Sequence, residues 1–281
     1  MFRRGGRIRA VRPSGIEVAL AHALTDPVTN ALAGARLHEV GRTQTVSQEF
    51  SLAGDEDAPV GLLWHGVNLS PMSATDLALD DFGRHMAARS RRASSVVGDR
   101  AAVEKLWAPL SAAWGSDVRE YRWSQPLLVA DEATAATSPS GLRPALPGEE
   151  DAVFPAAVAM FREEVGVDPL HGDSGRSYRA RVAALIRQGR TYVVFDDSRV
   201  VFKADVGALF GPVAQIHGVW VRPGQRGRGL GRAAMADLVD QVRRDHAAEV
   251  SLYVNDFNEP ARRAYAAAGF RQVGELTTIL F

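Results

Sequence analysis

The sequence predicts a mixed α/β protein, with α+β features and a mixed sheet, built in two parts. Period-2 apolar runs alternate with amphipathic helical stretches along most of the chain. The stretch Ala133-Thr-Ala-Ala-Thr-Ser-Pro-Ser-Gly141 is small, polar and lacks hydrophobic periodicity, so residues 133–141 read as a linker. A length of 281 residues suits about two domains of ordinary size.

Residues 1–15 read as a basic tail. Arg3, Arg4, Arg7, Arg9 and Arg12 are followed by no apolar core, so no secretory signal is expected. A first domain is predicted over 16–132, and its legible part starts at a strand, Gly61–Asn68. Thr75–Arg89 reads as a helix, Ser95–Val97 as a short strand, Arg100–Trp114 as a helix and Tyr121–Ala130 as a strand.

The second part spans 142–281. Leu142–Ala145 reads as a short strand, and Gly148–Asp151 opens a helix to about Glu164 whose acidic first turn suits the positive end of the helix dipole. A second helix is predicted near Ser177–Gln188, and Gly189 ends it. Thr191–Phe195 and Val200–Val206 form a hairpin around Asp196–Arg199, and the β-branched and aromatic run Val213–Val221 is a third strand. A glycine-rich loop then leads to a helix over Gly229–His246, a strand at Val250–Val254, a helix over Pro260–Ala268 and a closing strand near Leu276–Phe281. The strand-helix-strand-helix-strand order of the first part repeats the second half of this one, which points to a structural duplication.

Composition narrows the chemistry. The chain has no cysteine, which excludes disulfides, thiolate metal ligands and a cysteine nucleophile. Formal net charge is zero, and a cut at Gly141 leaves 15 basic and 16 acidic residues before it. Neither part therefore has a general attraction for nucleic acid or anionic lipid. The longest apolar stretch, Ala152–Phe161, is too short to span a bilayer. The expectation is a cytoplasmic protein, monomer or homodimer, with no nucleic-acid or membrane partner and no metal. Arginine outnumbers lysine 31 to 2.

The most informative segment is Val219-Trp-Val-Arg-Pro-Gly-Gln-Arg-Gly-Arg-Gly-Leu-Gly-Arg232. A strand ends there, Gly227, Gly229 and Gly231 permit tight turning, and a helix begins whose open N–H groups carry a partial charge of about +0.5. Such a terminus binds phosphate. Arg222, Arg226, Arg228 and Arg232 add positive charge with no acid among them. A P-loop would need Gly-Lys-Ser/Thr, which is absent. A dinucleotide loop would need G-x-G-x-x-G, but counting from Gly227 the last position is Arg232, although Asp256 could supply the acid that such a site expects. The pattern R-x-x-G-x-G, at Arg226, Gly229 and Gly231, fits best.

This segment resembles the pyrophosphate loop of the GNAT acetyltransferase family. The resemblance continues through Leu252-Tyr-Val-Asn-Asp-Phe-Asn-Glu-Pro-Ala-Arg-Arg-Ala-Tyr-Ala-Ala-Ala-Gly-Phe270, which is similar to the family's strand-Asn-helix-Tyr-Gly-Phe signature. It implies a GNAT fold over 142–281, preceded by a smaller domain in a tandem arrangement, and acetyl-CoA as acyl donor to a primary amine. By that likeness Val219, Trp220, Val221, Arg226, Gly227, Arg228, Gly229, Leu230, Gly231, Arg232 and Asn258 would bind the cofactor, and Tyr265 would be the general acid. Asn258 could equally cap the helix that follows it, and Tyr265 could equally pack in the core.

Strand alternation places Gln215, His217, Val219 and Val221 on one face, which makes His217 the candidate imidazole base. The alternative is a histidine satisfied by its neighbours. The family often carries Glu where Gln215 stands, and an amide cannot act as a base. Resemblance also points to the loop between the first two helices, with Glu163, Glu164, Asp168, His171, Asp173 and Tyr178, as the acceptor site. Glu164, Tyr178 and Gln215 are the expected substrate contacts. In the first part the equivalent loop, Ser70-Pro-Met-Ser-Ala-Thr-Asp76, has neither glycine nor arginine, and Asp76 would repel phosphate, so no CoA site is expected there. The sequence thus predicts an amine N-acetyltransferase; the alternative is a catalytically silent acyl-CoA-binding regulator.

Overall fold

The computed structural model describes residues 8–130 and 139–281. The start of the predicted basic tail and most of the predicted linker lie outside these residues. In chain order the first elements are β1 (Arg9–Ala10), α1 (Ile16–Ala23), α2 (Ala31–Val40), α3 (Thr45–Glu49), β2 (Phe50–Asp55), β3 (Ala58–His65), β4 (Asn68–Met72), α4 (Asp76–Ala87), β5 (Ser95–Asp99), α5 (Arg100–Trp114) and β6 (Glu120–Ala130). There follow β7 (Arg143–Pro144), α6 (Glu150–Val165), α7 (Arg176–Arg187), β8 (Thr191–Asp196), β9 (Arg199–Phe210), β10 (Val213–Val221), α8 (Leu230–Asp245), β11 (Glu249–Tyr253), α9 (Glu259–Ala267) and β12 (Arg271–Leu280). By contact the chain forms two compact units: Met1–Leu128 with Tyr253–Phe257 and Gln272–Phe281, and Val129–Leu252 with Asn258–Arg271.

In the first unit the strand order is β1-β2-β3-β4-β5-β12-β6. β4 and β5 pair in parallel, at Asn68 with Ser95 and Leu69 with Val96, joined by the α4 crossover. α4 and α5 cover a core that includes Leu79, Phe82, Leu106, Leu110 and Ile279. They approach closely at Gly83, where an added Cβ would stand 2.4 Å from Cγ of Pro109. The strand expected at Gly61–Asn68 is in fact the end of β3, a bend at Gly66-Val67 and the start of β4. No Asn-Gly or Pro signal marks that bend. Gly66 is needed because a Cβ there would lie 2.6 Å from the indole nitrogen of Trp64, and Val67 is its exposed tip.

β12, expected as the closing element of the 142–281 segment, pairs with β5 through Leu276–Leu280 and Ser95–Asp99. Its Thr277 hydroxyl donates to the Trp123 carbonyl at 2.6 Å. The reason is burial: Leu276 and Ile279 need an apolar surface, and Ile279 finds it in the first unit's core.

In the second unit the order is β11-β10-β9-β8-β7. α6 and α7 pack on a core with Val193, Val200 and Trp220 from the strands beneath. β10 and β11 run parallel but pair only from Val213 with Glu249 to Gln215 with Ser251, whereas β10 continues to Val221 against β9. The two parallel strands therefore part beyond Gln215, and the cleft described below opens along β10 beyond that point. Among the described residues no helix is long and apolar enough to cross a membrane.

Candidate active site

β10 ends at Val221, and α8 starts at Leu230. Between them Gly227 and Gly229 have φ of +73° and +87°. Nothing occupies the space of a Cβ at either position, so it is the left-handed backbone that calls for glycine. Gly229 is the N-cap of α8 and supplies no side-chain cap, and no acidic residue lies in the first turn. The amides of that turn remain open for an anion.

A cleft of about 890 Å³ opens at this helix end. Its lining includes Val219, Trp220, Val221, Arg226, Gly227, Arg228, Gly229, Gly231, Arg232, Asn258 and Tyr265, so the structure gathers almost all of the expected cofactor residues, with Leu230 outside the lining. Asn258 also caps α9, its Oδ1 accepting from Ala261 N at 3.3 Å. Tyr265 is 7% exposed, with its ring centroid 5.9 Å from that of Phe270. Burial, reinforced by the Glu164 carboxylate, pushes its phenol above the ordinary value, so it stays protonated at neutral pH.

The four arginines divide. Arg222 folds back, donating from Nε and Nη2 to the Val200 carbonyl at 3.1 and 2.9 Å. Arg226 donates from Nε to the Val221 carbonyl at 2.9 Å and from Nη2 to Glu163 at 2.6 Å. Arg228 and Arg232 line the cleft with no described side-chain partner. Glu163, expected on the acceptor side, instead lines this cleft and also accepts from the Trp220 indole at 3.2 Å. The Arg-rich loop has no acid of its own, but α6 brings one to it.

His217 does not line the cleft. Its Nε2 lies 2.9 Å from Oε1 of Gln215, and because an amide oxygen only accepts, that nitrogen carries the proton. Its Nδ1 packs on Gly207, where an added Cβ would come within 2.1 Å. Burial, and secondarily Arg181, lowers the imidazole to about 4. A base that weak is poorly matched to proton abstraction near pH 7.

On the expected acceptor loop, most groups are engaged locally. Asp168 accepts from Arg162 at 2.7 Å and from Leu170 N at 3.0 Å, and Asp173 accepts from Ser177 N at 2.9 Å at the start of α7. Tyr178 donates to the Ala157 carbonyl at 3.0 Å. Glu164 acts electrostatically on both Tyr178 and Tyr265. Sequence reasoning passed over Lys203 and Asp205, which are buried and paired on β9. Two charged residues two apart inside the apolar run Val200–Val206 were the available signal.

The fold and the cleft together set an uncapped helix start with two arginines beside a splayed parallel strand pair. Residues 160–270 match the Acetyltransferase (GNAT) family, and residues 49–153 match a domain of unknown function, DUF4081. That GNAT match lies wholly in the C-terminal part of the chain. Over 122 residues, 43% of this chain, the sequence is 30% identical to streptothricin acetyltransferase of Streptomyces lavendulae, and the match spans 60% of that relative's length. Among solved structures, a GNAT acetyltransferase from Colwellia psychrerythraea aligns with a TM-score of 0.61 at 12% identity over 98% of this chain and 99% of that one. A GCN5-related N-acetyltransferase from Sphaerobacter thermophilus aligns at 0.60 and 17% identity, over 99% and 96%. A tandem GNAT protein from the clavulanic acid biosynthesis pathway aligns at 0.53 and 14% identity, over 97% of both chains. The chain thus has the mixed α/β fold of GNAT proteins along nearly its whole length, in a tandem arrangement.

Proposed function

We propose that the protein is an acetyl-CoA-dependent N-acetyltransferase acting on a primary amine, with residues 142–281 as the catalytic segment. The observation that carries this reading is the uncapped N-terminus of α8, which opens behind Arg226, Gly229 and Gly231 into the same cleft as Tyr265. A pyrophosphate would take the open amides together with Arg228 and Arg232, and Asn258 and the backbone of Val219–Val221 would border the pantetheine arm. The first unit supports a division of labour, because Thr75 caps α4 by accepting from Ala78 N at 3.4 Å and Asp76 pairs with Lys105 at 3.1 Å. No open anion site is left at that helix start.

An amine with a pKa of about 10.4 is neutral in only about one molecule in 10³ at pH 7. That neutral amine attacks the thioester carbonyl. A C–N bond forms, the C–S bond breaks, the amine's surplus proton passes to solvent, and the thiolate takes up a proton. The raised Tyr265 phenol donates a hydrogen bond to the developing thiolate. Full transfer from a phenol above about 10 to a thiol near 8.5 is uphill, so the proton lost by the amine must replace any that Tyr265 gives up. His217 supports Gln215 as a neutral imidazole and is not the base.

The test is a thiol-release assay with acetyl-CoA against an amine panel comprising streptothricin, polyamines, aminoglycosides and peptides with free N-termini. Acceptor-dependent release that falls in Tyr265→Phe is expected. Thermal stabilisation by acetyl-CoA with no release from any acceptor would favour the silent acyl-CoA-binding protein instead.

A further inference from the structure

Among the described residues of the second unit, the buried polar or charged ones are Thr191, Lys203, Asp205, Gln215 and Ser251. Strand register places them together. Thr191 pairs with Asp205, Asp205 with His217, Lys203 with Val193 and Trp220, and Gln215 with Ser251. Paired residues on neighbouring strands point to the same side of a sheet, and Val193 and Trp220 belong to the core beneath α6 and α7. Lys203 and Asp205 therefore lie on the face those helices cover, where an apolar surface is the ordinary solution. Lys203 is one of only two lysines in the chain and is 1% exposed. Its ammonium donates to Oδ2 of Asp205, whose Oδ1 accepts from the Thr191 hydroxyl at 2.8 Å.

A buried ion pair is a poor route to stability, because the cost of dehydrating both charges consumes the attraction between them, and a well-packed apolar pair of similar volume is usually as stable or more so. The position of this pair suggests another role. Asp205 and Lys203 are the β9 partners of His217 and Trp220, and between those partners β9 has one residue, Ala204, whereas β10 has two, Gly218 and Val219. This is a β-bulge. Gly218 has a φ of +58°. A Cβ on it would stand 2.8 Å from Cε of Met160 and 3.6 Å from Oδ2 of Asp205, so the bulge is held between α6 and the carboxylate. Val219, the next residue, lines the cleft.

We propose that the Lys203–Asp205 pair is a positioning device. It fixes the Gly218–Val219 bulge so that the backbone there is aligned for the acyl group being transferred. Neither side chain contacts the reacting atoms. The proposal rests on the acetyl-transfer reading above, and it predicts a loss in turnover, not in cofactor binding, because misplacement by a fraction of an ångström acts on the transition state.

The experiment replaces both charges together, as Lys203→Met/Asp205→Leu in the full-length chain, so that no unpaired charge is left buried. Calorimetric titration with CoA and steady-state kinetics with acetyl-CoA are then compared with the parent, using whichever acceptor gives turnover in the amine panel. The expected result is a folded protein with CoA affinity within about twofold of the parent, unchanged KM for acetyl-CoA and kcat reduced by about tenfold or more. A folded variant with kcat within about twofold of the parent overturns the proposal. If that variant fails to fold, Lys203→Met/Asp205→Asn carries the same test with the same thresholds. A parent that neither binds CoA nor turns over would overturn the acetyl-transfer reading itself, which keeps the two failures apart.

Discussion

The carboxylate of Glu163 lies 2.6 Å from the guanidinium of Arg226 and so places a negative charge in the cleft at the α8 N-terminus. The two groups are about half exposed, at 46% and 48% of their side-chain surface, so the pair itself adds little stability. Its consequence is for the ligand. Arg226, the first residue of the R-x-x-G-x-G pattern, is engaged at Val221 and Glu163, and pyrophosphate must either share it or rely on Arg228, Arg232 and the α8 amides. Removing the charge with Glu163→Gln is expected to tighten CoA binding by about twofold to tenfold, more at low salt than at high. Titration at two ionic strengths checks this; weaker binding would mean that the bridge shapes the cleft for the cofactor.

Gly229→Asp should abolish CoA binding, since it puts a carboxylate on the N-cap facing the phosphate and imposes a positive φ on a residue with a Cβ. Gly229→Ala separates the two effects. It should destabilise by about 1 kcal/mol while leaving measurable binding. Equal affinity in the Asp variant and the parent would disprove the cradle.

Arg232→Ala and Arg228→Ala should each weaken CoA binding by about tenfold and flatten its salt dependence, as expected for charges that meet phosphate. Arg222→Ala should not, because its guanidinium is committed to the Val200 carbonyl. It should lower the thermal midpoint instead. A CoA affinity in Arg222→Ala as poor as in Arg232→Ala would contradict this division.

His217 is lowered to about 4 by burial and by Arg181, against about 6.5 when unfolded. Between those pH values the unfolded chain binds a proton that the folded protein refuses. Stability should therefore rise with pH across this window and be lost on acidification, by up to about 3 kcal/mol from this group. His65, also lowered by burial, contributes with the same sign, so His217→Gln should remove only part of the effect. Thermal melts of both proteins at about pH 4.5 and pH 7 check it, and an unchanged acid arm in the variant would show that His217 is not its source.

Thr75→Ala in the first unit should cost about 1 kcal/mol through loss of the α4 cap. CoA affinity should not change, since the open helix terminus lies in the other unit. A fall in affinity beyond the loss of folded protein would place a cofactor contact where none is expected.

Much of the site was legible because its signals are local. Gly227 and Gly229 appear in the sequence as the residues that a left-handed turn demands, and Tyr265, Gly269 and Phe270 keep the spacing of one short helix and its end. Arg100–Trp114 and the Thr75 helix start were legible for the same reason, namely periodicity and capping within a few residues. The first helices, Ile16–Ala23 and Ala31–Val40, are alanine-rich with diffuse apolar faces and were not. Strand alternation put Gln215, His217, Val219 and Val221 on one face, but the bulge at Gly218–Val219 interrupts that register, and His217 packs on Gly207 outside the cleft, where burial lowers its pKa.

By itself the sequence determined the glycine-rich turn before α8, the absence of such a turn in the first unit and the alternation of strands and helices, since backbone preference and period act over a few residues. Only the tertiary structure decided that β12 joins the first unit's sheet, that Glu163 reaches across the chain to Arg226, and that Lys203 and Asp205 lie paired under the β10 bulge. Those outcomes depend on which distant surfaces bury one another, and hydrophobic burial and charge pairing carry no record of their partners in the local sequence.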